Sequence, residues 1–160
     1  MKVSLDISVP SSLWRRLPRA RVIARETIAA AAESEGPGVG GDVSLCLADD
    51  AALQALNLRW RGLDKPTNVL SFPAAPPGHG RDATTLGDIA LAYETLAREA
   101  GELGVPLADH YRHLLAHGFL HLIGYDHETD AEAKRMEALE TRILTRLGAS
   151  DPYAREVVGG

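Results

Sequence analysis

Apolar and polar residues alternate with period two along Val3-Ser4-Leu5-Asp6-Ile7-Ser8-Val9, which predicts a strand with one buried face ending before Pro10. Ser11 or Ser12 can cap the helix that follows; Pro18 breaks or restarts it, and the alanine-rich run carries it to Ala32, short of Gly36-Pro37-Gly38. Residues 43–47 read as a buried strand, and Asp49 as the N-cap of a helix through Trp60, with Gly62 and Pro66 marking the loop beyond. Residues 69–72 predict a third strand, residues 74–85 a Pro- and Gly-rich loop, and residues 86–92 a fourth strand. From Tyr93 onward the apolar spacing becomes helical, to about Glu102, from Pro106 to Ile123, and from Asp130 to Leu147. The tail after Gly148 reads as frayed. The expected fold is α+β: a four-stranded mixed sheet packed with about five helices, one domain over residues 1–150 and a tail over 151–160.

Composition narrows the function classes more than the fold. With 45% hydrophobic and 24% charged residues in 160, the chain reads as an ordinary globular protein, with no apolar run near the ~20 residues that span a membrane. The start, Met1 to Asp6, lacks the apolar core of a secretory signal, and a lone cysteine, Cys46, excludes an internal disulfide. A cytoplasmic location is the expectation. A net charge of -5 argues against coating nucleic acid by bulk electrostatics, but the charge is uneven. Arg15, Arg16, Arg19, Arg21 and Arg25 form a basic stretch, where Trp14 adds a possible stacking surface. Glu128, Asp130, Glu132, Glu137 and Glu140 make an acidic stretch that reads as a solvated helix face.

Five of the six histidines lie between His110 and His127. His117 and His121 are i and i+4, one above the other on a helix face, close enough to share one ion. Gly124 can take the left-handed conformation that ends the helix and turns His127 back toward the pair. His117-x-x-x-His121-x-x-Gly124-x-x-His127 has the ligand spacing of metzincin proteases, but Gly118 stands where those enzymes carry the glutamate base. A protease therefore lacks its base, while three imidazoles leave a fourth position open, as in catalytic rather than structural zinc sites. The metal site is expected on this helix and the following turn. Zinc, one ion, is the expected metal, although three imidazoles also suit nickel, copper or iron. His110 and His113 read as structural or supporting groups, and His79 as a solvated loop residue.

The run His117-Gly-Phe-Leu-His-Leu-Ile-Gly-Tyr-Asp-His127 resembles the YbeY family of bacterial endoribonucleases, or rRNA maturation factors. So do Leu56-Asn57, Arg61-Gly62, the run from Asp64 through Thr67-Asn68 to Pro73, and Leu86-Gly87-Asp88-Ile89, together covering residues 45–147. The resemblance implies the α+β fold and a zinc-bound three-histidine site acting on single-stranded RNA. It also implies roles in maturation of small-subunit ribosomal RNA and in ribosome quality control, with the small ribosomal subunit, its proteins or an assembly GTPase as partners. The family's metal ligands fall on His117, His121 and His127, and its functionally important arginine on Arg61.

The residues themselves leave several roles open. Arg61 can bind phosphate bidentately and offset charge developing during cleavage, or be a plain surface arginine. Lys65 reads as exposed, Ser71 as structural, and Asp126 either orients an imidazole or caps the turn. Two other functions compete: a metal-dependent hydrolase of another substrate, and a non-catalytic ribosome assembly factor whose metal fixes the last two helices.

Overall fold

The computed structural model describes residues 3–36, 38–74, 85–126, 128–149 and 151–153. Strand β1 (Val3–Ser8) leads through a short 3-10 helix (Ser12–Arg16) to helix α1 (Ala20–Ser34), strand β2 (Gly41–Ala48) and helix α2 (Asp50–Arg61). Strands β3 (Val69–Pro73) and β4 (Thr85–Ala92) follow, then helices α3 (Tyr93–Leu103), α4 (Leu107–Leu122) and α5 (Asp130–Arg146). The sheet order is β1-β2-β4-β3, with β1, β2 and β4 parallel and β3 antiparallel to β4. The α+β architecture with a four-stranded mixed sheet and five helices is the one predicted. Among the described residues no helix is long and apolar enough to cross a membrane.

Each element follows from local chemistry. The expected first helix splits at Pro18, whose ring and missing N–H prevent a continuous ladder, into the 3-10 turn and α1. Asp49 caps α2 by accepting from the Ala52 N–H at 2.9 Å, and Thr129 caps α5 by accepting from Glu132 at 3.1 Å. Val43, Leu45 and Leu47 of β2 and Ile89 and Leu91 of β4 point into the main core, where α1 and α4 cover the sheet and α5 packs on those two helices. A smaller core of Leu53, Leu70, Ala90 and Ala92 lies under α2 on the opposite face.

Trp14 is not a stacking surface. It is 3% exposed, its indole N–H donates to the Ala48 carbonyl at 2.8 Å, and its ring lies 5.3 Å from Tyr93 and 5.2 Å from Tyr111. A buried aromatic with its one donor satisfied is a core anchor. The basic stretch also contributes to the fold. Arg21 and Arg25 donate to the carbonyls of Ile7 and Leu5 on the edge strand β1, covering part of an edge that could recruit another strand.

The expected fraying after Gly148 does not extend to Asp151–Tyr153. Asp151 accepts from Thr141 at 3.2 Å and from the Tyr153 N–H at 2.9 Å, and the Tyr153 hydroxyl donates to Glu140 at 3.0 Å. A buried carboxylate needs donors, and this tyrosine supplies one.

Candidate functional site

Helix α4 is packed on most sides, burying Tyr111, Leu114, Leu115, Ala116, Phe119, Leu120 and Leu122. Its remaining stripe carries His110, His113, His117 and His121, spaced so that all four rings fall within one narrow face. His117 and His121 stand nearly perpendicular, with centroids 4.5 Å apart and their Nε2 atoms 3.1 Å apart.

The other ring nitrogens settle the tautomers. His117 Nδ1 donates to the Glu140 carboxylate at 3.3 Å, and His121 Nδ1 to the Tyr125 carbonyl at 3.0 Å. Both partners accept only, so both Nδ1 atoms carry the proton and both Nε2 atoms present lone pairs to the space between them. Two lone pairs so placed repel each other unless a proton or a cation lies between them. Two nitrogens bound to one tetrahedral zinc at about 2.0–2.1 Å are about 3.3 Å apart, close to what the rings present. Donor type, spacing and the outward hydrogen bonds to carboxylate and carbonyl all fit a metal.

The turn after α4 follows the sequence expectation. Gly124 has φ of 107°, in the region glycine tolerates, and the Tyr125 N–H returns to the Leu120 carbonyl at 3.0 Å. Tyr125 also ties this turn to the end of α1 through its hydroxyl, which donates to Glu35 at 2.6 Å. His127, the expected third ligand, lies outside the described residues, as does His79. Among the described residues no group of three His, Cys, Asp or Glu side chains is arranged to hold an ion. The pair His117 and His121 is the part of the set that can be seen.

Glu140 overturns the reading of the acidic stretch as a solvated face. It is 1% exposed and bridges His113 Nε2 at 2.6 Å and His117 Nδ1 at 3.3 Å. Burial alone would raise its pKa, but the hydrogen bonds from His113 and His117 oppose it and hold the group at about 2. The signal was present in the sequence: Met136, Glu140, Ile143 and Leu144 form the buried stripe of α5, and Glu140 is its one charged member. His110 is likewise supported, with Nε2 2.9 Å from Glu99, which also accepts from Asn68 at 3.0 Å.

Arg61 lines the same groove. It ends α2, which Gly62 terminates with φ of 71°, and its side chain is exposed on the wall of a groove of about 630 Å³ that contains His117 and His121. The loop beyond is pinned by the buried Asn57, whose amide donates to the Lys65 carbonyl at 2.9 Å. Asp126 lines the groove as well. Ser71 is a packing residue: its hydroxyl donates to the Gly118 carbonyl at 3.0 Å. Gly118 itself lies against the sheet, where an added Cβ would come within 3.1 Å of Ser71 Oγ and 3.2 Å of Ile89 Cγ2. The position that carries a glutamate in metzincins thus holds a close helix–sheet contact here.

Comparison with known proteins gives the family. The family model described as Endoribonuclease YbeY matches residues 14–148. Endoribonuclease YbeY of Bradyrhizobium diazoefficiens is 51% identical over 154 residues, covering 93% of this chain and 84% of that protein. Its namesake in Rhizobium meliloti is 59% identical over 118 residues, covering 73% and 70%. A solution structure of a protein from Thermotoga maritima shares the fold, with a TM-score of 0.59, 22% identity, and coverage of 97% of this chain and 93% of that one. With a match across most of its length, the chain belongs to the YbeY endoribonuclease family.

Proposed function

We propose that this protein is a metal-dependent endoribonuclease that cuts single-stranded RNA, with one zinc ion held by His117, His121 and His127. The observation that carries the reading is the 3.1 Å approach of two Nε2 atoms in a groove that Arg61 also lines. Membership of an endoribonuclease family supplies the substrate class. By the same family likeness it acts in the cytoplasm on small-subunit ribosomal RNA, in its maturation and in ribosome quality control, with the subunit, its proteins or an assembly GTPase as partners.

When bound, the ion supplies Lewis-acid polarisation of the scissile phosphate and neutralises charge that develops on it. The chain's own groups do the rest. Arg61 presents a planar pair of N–H donors that can grip two phosphate oxygens at once. Glu140 and the Tyr125 carbonyl fix the two imidazoles with Nδ1 protonated, so that both Nε2 atoms are available as ligands. Gly118 stands at the chain position after His117 where a metzincin carries its glutamate base, which separates this groove from a peptide-cleaving one.

Purified protein should cleave a single-stranded RNA, and the His117→Ala and His121→Ala variants should lose that activity. Undiminished cleavage by the variants, with contaminating nuclease excluded, would overturn the reading. A 2′,3′-cyclic phosphate at the product end identifies the RNA's own 2′-hydroxyl as nucleophile; a 5′-phosphate opposite a free 3′-hydroxyl identifies water.

A further inference from the structure

Trp60 is the largest exposed apolar side chain described, at 61%. It sits beside Arg61 at the end of α2 and lines the groove that holds His117 and His121. Its indole ring is set by two neighbours: Phe72 on β3, with centroids 6.4 Å apart and planes at 58°, and the Arg59 guanidinium, 5.0 Å from the ring centroid. Its apolar area faces solvent although Trp14, the other tryptophan, is fully used in the core. An exposed aromatic ring packed by Phe72 and Arg59, next in the chain to Arg61 in a candidate nuclease groove, matches the chemistry of an unpaired base attached to a phosphate chain.

We propose that Trp60 is a stacking platform for one unpaired nucleobase next to the scissile phosphate, and so a source of the preference for single strands. This rests on the endoribonuclease reading. A base in a duplex has both faces covered by its neighbours, so only an unpaired base can lay a face on the indole. The surrounding charge fixes the side on which the strand runs. Trp60 also borders a second groove of about 720 Å³ on the open sheet face, where Asp6, Ser44 and Asp88 form one row across β1, β2 and β4. Carboxylates there repel phosphates. Arg59 and Arg61 attract them, so the backbone stays on the histidine side and the base turns toward Trp60.

The test is the intrinsic fluorescence of the whole protein, in which Trp14 is shielded and Trp60 is open to a stacked base. Titration with a single-stranded oligoadenylate should quench the exposed tryptophan, and a blunt duplex of equal length should not. Trp60→Ala should weaken oligoadenylate binding roughly 5- to 100-fold, and Trp60→Phe, which keeps a ring, should recover most of it. Because the side chain is exposed, melting temperatures should stay close to wild type. Unchanged affinity in Trp60→Ala, with wild type still binding and cutting single strands, overturns the platform and leaves the endoribonuclease reading standing. That outcome would assign the exposed ring to a protein partner instead. Failure of the wild-type protein to bind or cut any single-stranded RNA overturns both.

Discussion

Glu140 on α5 places its carboxylate 3.3 Å from Nδ1 of His117 on α4, and the same ring turns Nε2 toward His121 at 3.1 Å. One buried charge thereby sets the tautomer and the aim of an expected metal ligand. Glu140→Gln keeps the shape but replaces the charge, and its amide nitrogen must donate where His113 and His117 already donate. Metal affinity should fall roughly 10- to 100-fold, read by competition with a chromophoric chelator. His113→Asn removes the other imidazole held by Glu140 but leaves the Glu140–His117 contact, so its affinity should fall far less. Equal losses in the two variants would reduce Glu140 to a packing role.

Gly118 predicts the outcome of installing the metzincin glutamate. An added side chain would be driven against Ser71, Ile89 and Val69, with the first contact already at 3.1 Å for a Cβ alone. Gly118→Glu combines overpacking with a carboxylate forced toward an apolar sheet, so it should cost about 2–4 kcal/mol. For a chain of this size that is a drop in melting temperature on the order of 5–15 °C. Calorimetry of the metal-free protein measures it directly. An unchanged melting point, or a newly gained peptidase activity, would contradict the packing account.

The periodic parts of the fold were legible because their signals are local. Alternation in β1, the Asp49 cap and the Gly124 turn each depend on residues within a few positions of one another. The His117–His121 pair was legible for the same reason, since i and i+4 fix a helix face. What escaped depends on contacts distant in sequence. Trp14 bonds Ala48, 34 residues away, and its burial erased the stacking role that five nearby arginines suggested. Glu140 looked like one of several helix acids until its place in the buried stripe of α5 set it opposite His113 and His117. Tyr125 and Glu35, 90 residues apart, tie the metal-side turn to α1, and no local pattern announces such a pair.

Glu99 predicts an acid-side dependence of stability. Burial alone would raise its pKa, but hydrogen bonds from His110 and Asn68 and the charges of His110 and Arg98 lower it below its ordinary range. Its other polar neighbours in the same pocket are Glu102 on its own helix, His113 on α4, and Tyr153. A carboxyl with a depressed pKa in the folded state binds protons less readily than in the unfolded chain. Its contribution is therefore present above the unfolded carboxylate range and is lost as pH falls from there through the lowered folded pKa. Wild type should melt above Glu99→Gln at about pH 6, and the gap should narrow toward about pH 3. Thermal melts across that range check the trend, and a gap that widens on acidification would reverse the assignment.

Arg61 separates charge from geometry at the groove. The side chain is exposed, so Arg61→Ala should leave the melting temperature nearly unchanged. It should nevertheless lower kcat/KM on single-stranded RNA by about 30- to 1000-fold, the range for removing a preorganised donor to developing phosphate charge. Arg61→Lys restores a point charge without the planar fork, so it should recover only part of that loss. The two variants also divide the effect by salt. Raising ionic strength weakens long-range attraction, and should therefore narrow the difference between Lys and Ala while leaving the difference between Arg and Lys largely in place. Full recovery by lysine would mean that Arg61 merely attracts the strand. Partial recovery that resists salt places two oriented hydrogen bonds on the phosphate, in the groove that His117 and His121 also line.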